Sequence, residues 1–302
     1  MTGFASAASV SLPTGQTPCG QVTPGLADLQ GLWTRSLIAW PDGRQDTTTQ
    51  VVWLQGKAGY IDLRQPADLP DFASVRCLND LTWDDCRALA AQQGFAGTLL
   101  EDGTAFVWER ELDYQPAELT PDSGFLAWQD TMLVETGRHQ PYVEHWHRAT
   151  ELPAPVDEAQ PGGWQAAEGI LLRLRARGAG GSAMALRVGP YFMFAQATSP
   201  LVTPAQANTL AEAVERADTL QAARALVACE ISFGHVQGPD GLPVIMRSTL
   251  LAGGEPLSPV GHGRWRAGHA GAGSRWPALH LAVGQTAPTL TRRLICPRHD
   301  GK

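Results

Sequence analysis

A chain of 302 residues, 43% hydrophobic and 18% charged, carries enough apolar material for one large domain or two modest ones. Its net charge is −7, and its only two lysines are Lys57 and Lys302, so the basic stripe of a nucleic-acid binder is missing. No apolar run approaches the length of a membrane span. Five scattered cysteines (Cys19, Cys77, Cys86, Cys229, Cys296) form no CxxC or zinc spacing, and they read as free thiols of a cytoplasmic protein.

Residues 1–27 have neither a basic leader nor a continuous apolar stretch and read as a loose tail. Short segments rich in Val, Trp, Tyr, Phe and Thr then alternate with Gly and Pro turns: 32–39, 47–55, 59–64, 104–112, 130–136 and 142–148. Such spacing predicts antiparallel strands in a barrel or a sandwich. Residues 82–93 read as a helix, with Thr82 as N-cap and acids in the first turn. The stretch ELPAPVDEAQPGG, 151–163, reads as a linker. After it, 203–227 is the longest helical stretch, opening on Thr203-Pro204 and broken near Asp218. WPALHLAV, 276–283, is the expected closing strand of the second half, and TLTRRLICPRHDGK follows as a tail or a final strand.

The two halves resemble each other. RALAAQQGFAG (87–97) aligns without gaps on RALVACEISFG (224–234), and an Asp-Gly turn follows each. GYIDLR (59–64) matches PYFMFA (190–195), and AFVWER (105–110) matches PVIMRS (243–248). The order strand, helix, strand, turn, strand predicts an internal duplication. On this match Tyr60 corresponds to Tyr191, Asp62 to Met193, Arg64 to Ala195, Trp108 to Met246 and Arg110 to Ser248. One copy is then polar inside and the other nearly apolar.

Side chains alternate faces along a strand. Trp33 and Arg35 share a face. So do Tyr60, Asp62 and Arg64; Trp108 and Arg110; and Tyr142, Glu144, Trp146 and Arg148.

Gly31-Leu32-Trp33 opens the first strand as a G-x-W, and Arg148 ends the last. This ordering resembles the calycin superfamily of lipocalins and fatty-acid-binding proteins, in which an Arg near the final strand covers a Trp at the barrel base. The Tyr60-Ile61-Asp62-Leu63-Arg64 strand and the Pro141-Tyr142-Val143-Glu144-His145-Trp146 strand are similar to those of a fungal two-barrel, calycin-like family named for interaction with a casein-kinase-like kinase. The resemblance covers mostly residues 30–150. It implies a mainly β chain of two tandem antiparallel calycin-like barrels with a few short helices. The first barrel spans 28–150 and the second, diverged one 164–302. It implies no established enzymatic activity and so bears on fold more than on function.

If Trp33 and Arg148 meet at the base, Tyr142, Glu144 and Trp146 look inward, and His145 and His147 look out. His-x-His offers two ligands without a third of diagnostic spacing, so no metal and no cofactor are expected. No G-x-S-x-G, catalytic-type Cys or phosphate loop is present. The chemistry left is the polar inner face of the first barrel, whose charges must pair with one another, meet water or meet a ligand.

The leading expectation is a small-molecule-binding protein for an anionic or zwitterionic ligand. Arg64 and Arg110 would hold an acidic group, with Arg35 beside them. Tyr60 and Tyr142 would donate hydrogen bonds, and Trp108 and Trp146 would wall the site. A second expectation is a cofactor-independent isomerase, hydratase, cyclase or lyase with Glu144 or Asp62 as acid/base. A third is an interaction module for a protein partner, with no ligand.

Overall fold

The computed structural model describes residues 22–149 except 58, 73, 74, 76 and 77, together with 170–176, 182–196, 202–203, 205–236, 243–249 and 265–268. The 151–163 linker, most of the N-terminal tail, and the strand expected over 276–283 with the segment after it lie outside these residues.

Nine strands fill the first half: β1 (Gly31–Ala39), β2 (Gln45–Asp46), β3 (Gln50–Gln55), β4 (Tyr60–Gln65), β5 (Gln93–Asp102), β6 (Ala105–Asp113), β7 (Ser123–Gln129), β8 (Met132–Gly137) and β9 (Val143–Arg148). All but β2 follow one another in space as antiparallel neighbours, and β9 pairs back onto β1, with Trp33 opposite Arg148 and Arg35 opposite Trp146. This closes an eight-stranded barrel; the short β2 adds to the far end of β1. Closure leaves the long strands without a free edge.

One end of the barrel is sealed locally. A 3-10 turn, Leu26–Leu29, precedes β1 and puts Leu29 into the core. The Trp33 indole donates to the Leu29 carbonyl at 2.7 Å. The Arg148 guanidinium lies over the Trp33 ring, 4.4 Å from its centroid, and donates to the carbonyls of Asp28 and Gln30. Gly31 is required here. Its φ is +134°, and a Cβ would lie 2.6 Å from Arg148 Nη1.

Helix α1 (Trp83–Ala90) begins at Thr82, whose hydroxyl accepts from Asp85 N while the Asp85 carboxylate accepts from Thr82 N. It ends before 93 because Gln93 starts β5. The expected helix over 203–227 is instead two short ones, α2 (Leu210–Glu215) and α3 (Leu220–Leu226), parted around Asp218. Thr209 and Thr219 each cap a new start, accepting from Glu212 N and Ala222 N. Thr203 forms a turn with Gln206 and starts no helix. No helix among the described residues is long and apolar enough to cross a membrane.

The second half contributes β10 (Ile170–Ala176), β11 (Ser182–Val188), β12 (Tyr191–Gln196), β13 (Glu230–Val236), β14 (Pro243–Ser248) and β15 (Trp265–Gly268). They form a sheet in the order β14-β13-β12-β11-β10-β15, which is open among the described residues.

The strand registers correct the residue-by-residue match of the halves. Gly97 lies opposite Tyr60, and Gly234 opposite Phe192. With 87–97 laid on 224–234, Tyr60 therefore corresponds to Phe192, Asp62 to Phe194 and Arg64 to Gln196. Tyr191, Met193 and Ala195 fall on the other face, because a slip of one residue inverts a strand. Their face packs on the first barrel. Leu32, Val52, Leu54, Ile61 and Leu63 from the barrel's outer surface share one core with Met184, Leu186, Met193, Ile231 and Phe233 and with the three helices. Met193 thus says nothing about how a second interior would be filled.

Candidate functional site

The inner face of the barrel holds two layers. The lower layer, towards the Trp33–Arg148 end, is aromatic. Trp33 and Trp53 stack at 5.9 Å between centroids, and Trp53 meets Trp146 and Trp108 edge-on at 5.4 and 6.1 Å. Such offset and edge contacts suit the ring quadrupoles, each worth about 0.5–1.5 kcal/mol beyond burial.

The upper layer is charged. It gathers the far ends of β1, β4, β6 and β8 and the near ends of β5, β7 and β9 around a cavity of about 260 Å³. Arg35 Nη1 meets Glu144 Oε1 at 2.5 Å, with both side chains at least 95% buried. Arg35 also reaches Asp46 at 3.5 Å. Arg64 binds Asp62 at 2.8 Å and lies 3.5 Å from Glu144. Arg110 bridges Asp113 at 3.0 Å and Asp122 at 2.6 Å, and its guanidinium covers the Phe95 ring at 3.7 Å. Each arginine is thus shared by two carboxylates.

Glu135 is different. It lies directly opposite Glu144 in the β8–β9 ladder and is 4% exposed. Its carboxyl accepts from the Tyr142 hydroxyl at 2.7 Å and from the Trp146 indole at 3.0 Å, and among the described residues no cation contacts it. Burial first, then the charges of Glu144 and Asp122, push its pKa well above the ordinary carboxyl value. Asp62 and Asp113 are also raised by burial, against the pull of Arg64 and Arg110 respectively. Gly137 makes the arrangement possible: a Cβ there would sit 2.5 Å from the Tyr142 ring. Two buried hydroxyls, of Ser123 and Tyr60, find no hydrogen-bond partner among the described residues, and Ser123 lines the cavity.

Of the residues expected from the sequence, Asp62, Arg64, Trp108, Arg110, Tyr142, Glu144 and Trp146 line this cavity. Arg35 and Tyr60 do not. Arg35 stands behind Glu144 and lines a smaller neighbouring pocket of about 160 Å³ with Asp46 and Arg64. Tyr60 is wholly buried against Phe95. The arginines expected to await an acidic ligand already have acidic partners. Glu135, Asp113, Asp122 and Trp53 also line the cavity and escaped the sequence reading. The missed signal for Glu135 was alternation from the buried Leu133 along the same strand.

His147 is exposed on the outer surface, with its Nε2 2.8 Å from the Ser36 hydroxyl. His145 shares that outer face, only partly buried, and burial lowers its pKa. No cluster of three or more His, Cys, Asp or Glu suited to a metal occurs among the described residues.

No family model matches the sequence, and no curated protein matches it. Among solved structures, an uncharacterized protein of Saccharomyces cerevisiae is similar over 72% of this chain and 84% of its own. Identity is 13% and the TM-score 0.43, a likeness too distant to bear on function.

Proposed function

We propose that the protein binds a small polar molecule in the upper cavity of its first barrel and belongs to the calycin-like two-barrel proteins, working in the cytoplasm. The calycin reading is supported by Gly31, Trp33 and Arg148, which assemble at the sealed end as a covered tryptophan. The second half is then a diverged barrel of which the described residues supply six strands. One observation carries the binding reading. The cavity is lined by a buried carboxyl that meets no cation and a serine hydroxyl that finds no partner among the described residues, and by Trp53, Trp108 and Trp146. A self-satisfied network would leave none of these polar groups over.

The direct test is native mass spectrometry of the purified protein before and after mild denaturation. A bound species lost in Trp108→Ala together with Tyr142→Phe is expected. An empty protein whose double variant differs only in stability would refute binding at this site.

A second reading has one supporting observation, the 2.7 Å contact between Tyr142 and Glu135 at the cavity wall. A proton-carrying Glu135 beside a tyrosine could serve a cofactor-independent isomerase or lyase. Glu144 and Asp62, the acid/base candidates expected from the sequence, are worse placed, because each is held by guanidinium groups.

A further inference from the structure

We infer that the ligand of the upper cavity is an organic cation, an ammonium compound with an apolar or aromatic body, whose charged nitrogen is taken by Glu135. The inference rests on the binding reading above and gives the ligand its charge.

The argument begins with which groups are already paired. Arg35, Arg64 and Arg110 are each held between two carboxylates at 2.5–3.5 Å, so their charge is already balanced, although the Arg110 Nε–H has no partner among the described residues. An anion in the cavity would also face Asp122, Glu144 and Glu135, which all line it. The surplus has the other sign. Among the described residues Glu135 has two neutral donors and no cation, although a carboxylate offers about four lone-pair sites. The unpartnered hydroxyl of Ser123 lines the same cavity and can accept a further N–H. The walls suit the rest of such a molecule: Trp53, Trp108 and Trp146 line the cavity, and a cation near an aromatic face gains about 0.5–2 kcal/mol.

The charge balance gives the inference its own signature. Burial and the charges of Glu144 and Asp122 favour the protonated form of Glu135, against the hydrogen bond from Tyr142 and the charge of Arg64. An entering ammonium keeps its proton, and the Glu135 carboxyl gives its own to solvent. One N–H⁺···⁻O pair forms and one proton is released. Arg64 and Arg110 keep their carboxylates.

The test is isothermal titration calorimetry of the full-length protein with three probes of one shape: 2-phenylethylammonium, 2-phenylethanol and 3-phenylpropionate. The cation should bind at least tenfold more tightly than the alcohol, and the anion should give no heat. Binding of the cation at pH 7 should release a proton, seen as an enthalpy that changes with the ionisation enthalpy of the buffer. Glu135→Gln should weaken the cation at least tenfold and abolish proton release, with a smaller loss for the alcohol than for the cation; Tyr142→Phe should weaken the cation less. If the anion binds best and Trp108→Ala abolishes it, the cation inference falls and the cavity remains a binding site. Cation binding undiminished in Glu135→Gln also overturns the inference. Should no probe bind, the inference falls too. An absence of any co-purifying species by native mass spectrometry would then remove the binding reading with it.

Discussion

Glu135→Gln tests the electrostatics of the upper layer without any ligand. The substitution keeps the shape of the side chain and can keep both hydrogen bonds. The Trp146 indole only donates, so it takes the amide oxygen; the Tyr142 hydroxyl can turn from donor to acceptor and receive the amide NH₂. What changes is titration. Burial and the neighbouring Glu144 raise the Glu135 pKa in the folded protein, whereas the unfolded chain returns it to the ordinary carboxyl value near 4.5. Between those two values the folded protein holds one more proton than the unfolded chain, so stability falls as pH rises. The loss is at most about 1.4 kcal/mol per pH unit for one proton. The contribution is fully present below the unfolded pKa and lost as pH rises through the folded one. Asp62 and Asp113 are raised as well and tilt the wild-type curve the same way, so only the difference between the two proteins isolates Glu135. Urea unfolding followed by tryptophan fluorescence at half-unit steps from pH 4.5 to 7.5 gives that difference. Glu135→Gln should gain on the wild type at about 0.7 kcal/mol per unit near pH 4.5, where the unfolded carboxyl is half-protonated, steepening to about 1.4 kcal/mol per unit above it and levelling at the folded pKa. A difference that stays flat across the range would refute the reasoning, because Glu135 would then titrate alike in both states.

Four other outcomes follow from the geometry. Arg35→Met leaves the 98%-buried Glu144 carboxylate with only the longer Arg64 contact, and it should cost about 3–5 kcal/mol in urea unfolding at pH 7. Arg148→Ala removes the cover of Trp33 and the donors to Asp28 and Gln30 carbonyls; about 2–4 kcal/mol should be lost, with a red-shifted tryptophan emission. Leu63→Ala, in the core shared by barrel and open sheet, should cost about 2–5 kcal/mol and lower a single unfolding transition without splitting it. Cys86 and Cys229 are buried and their thiols are pushed up by burial to about 11 and about 12. Both should resist an aromatic disulfide reagent at pH 8 until the protein is unfolded, and fast labelling of either in the native protein would contradict the packing.

The barrel was legible where alternation was clean. Tyr60-Ile61-Asp62-Leu63-Arg64 shows its two faces directly, and the structure sends the polar set inside and Ile61 and Leu63 out. Trp33 and Arg148 were legible as a pair only through the calycin resemblance, which implies an arginine of the last strand over a tryptophan at the barrel base. Strand β7 was not, since Ser123-Gly124 is a poor strand start by propensity. The structure explains the glycine: a Cβ on Gly124 would come within 3.1 Å of Glu135. Bulges also hide faces from a sequence reader. Arg35 and Ile38 both look inward because Ser36 is an extra residue in the β1–β9 ladder. Pairing of charges was out of reach for a different reason. Asp113 ends β6, three residues past Arg110, and Asp122 reaches Arg110 only because the β6–β7 connection folds back to it.

Closure of the barrel by β1 and β9 sets a timetable for a chain made from one end. Arg35 and Glu144, which meet across that seam, are 109 residues apart. At about 5–20 residues per second of synthesis, β1 waits roughly 5–20 s for its partner. Until then its hydrogen-bonding edge is open, and the apolar outer face of β3 and β4 waits longer still, for β11 to β13. Contacts of such sequence separation form slowly even in the finished chain. The growing polypeptide therefore carries an unpaired strand edge and an uncovered apolar face during that interval, and changes that stall translation between β9 and β11 should reduce yield more than equal delays elsewhere.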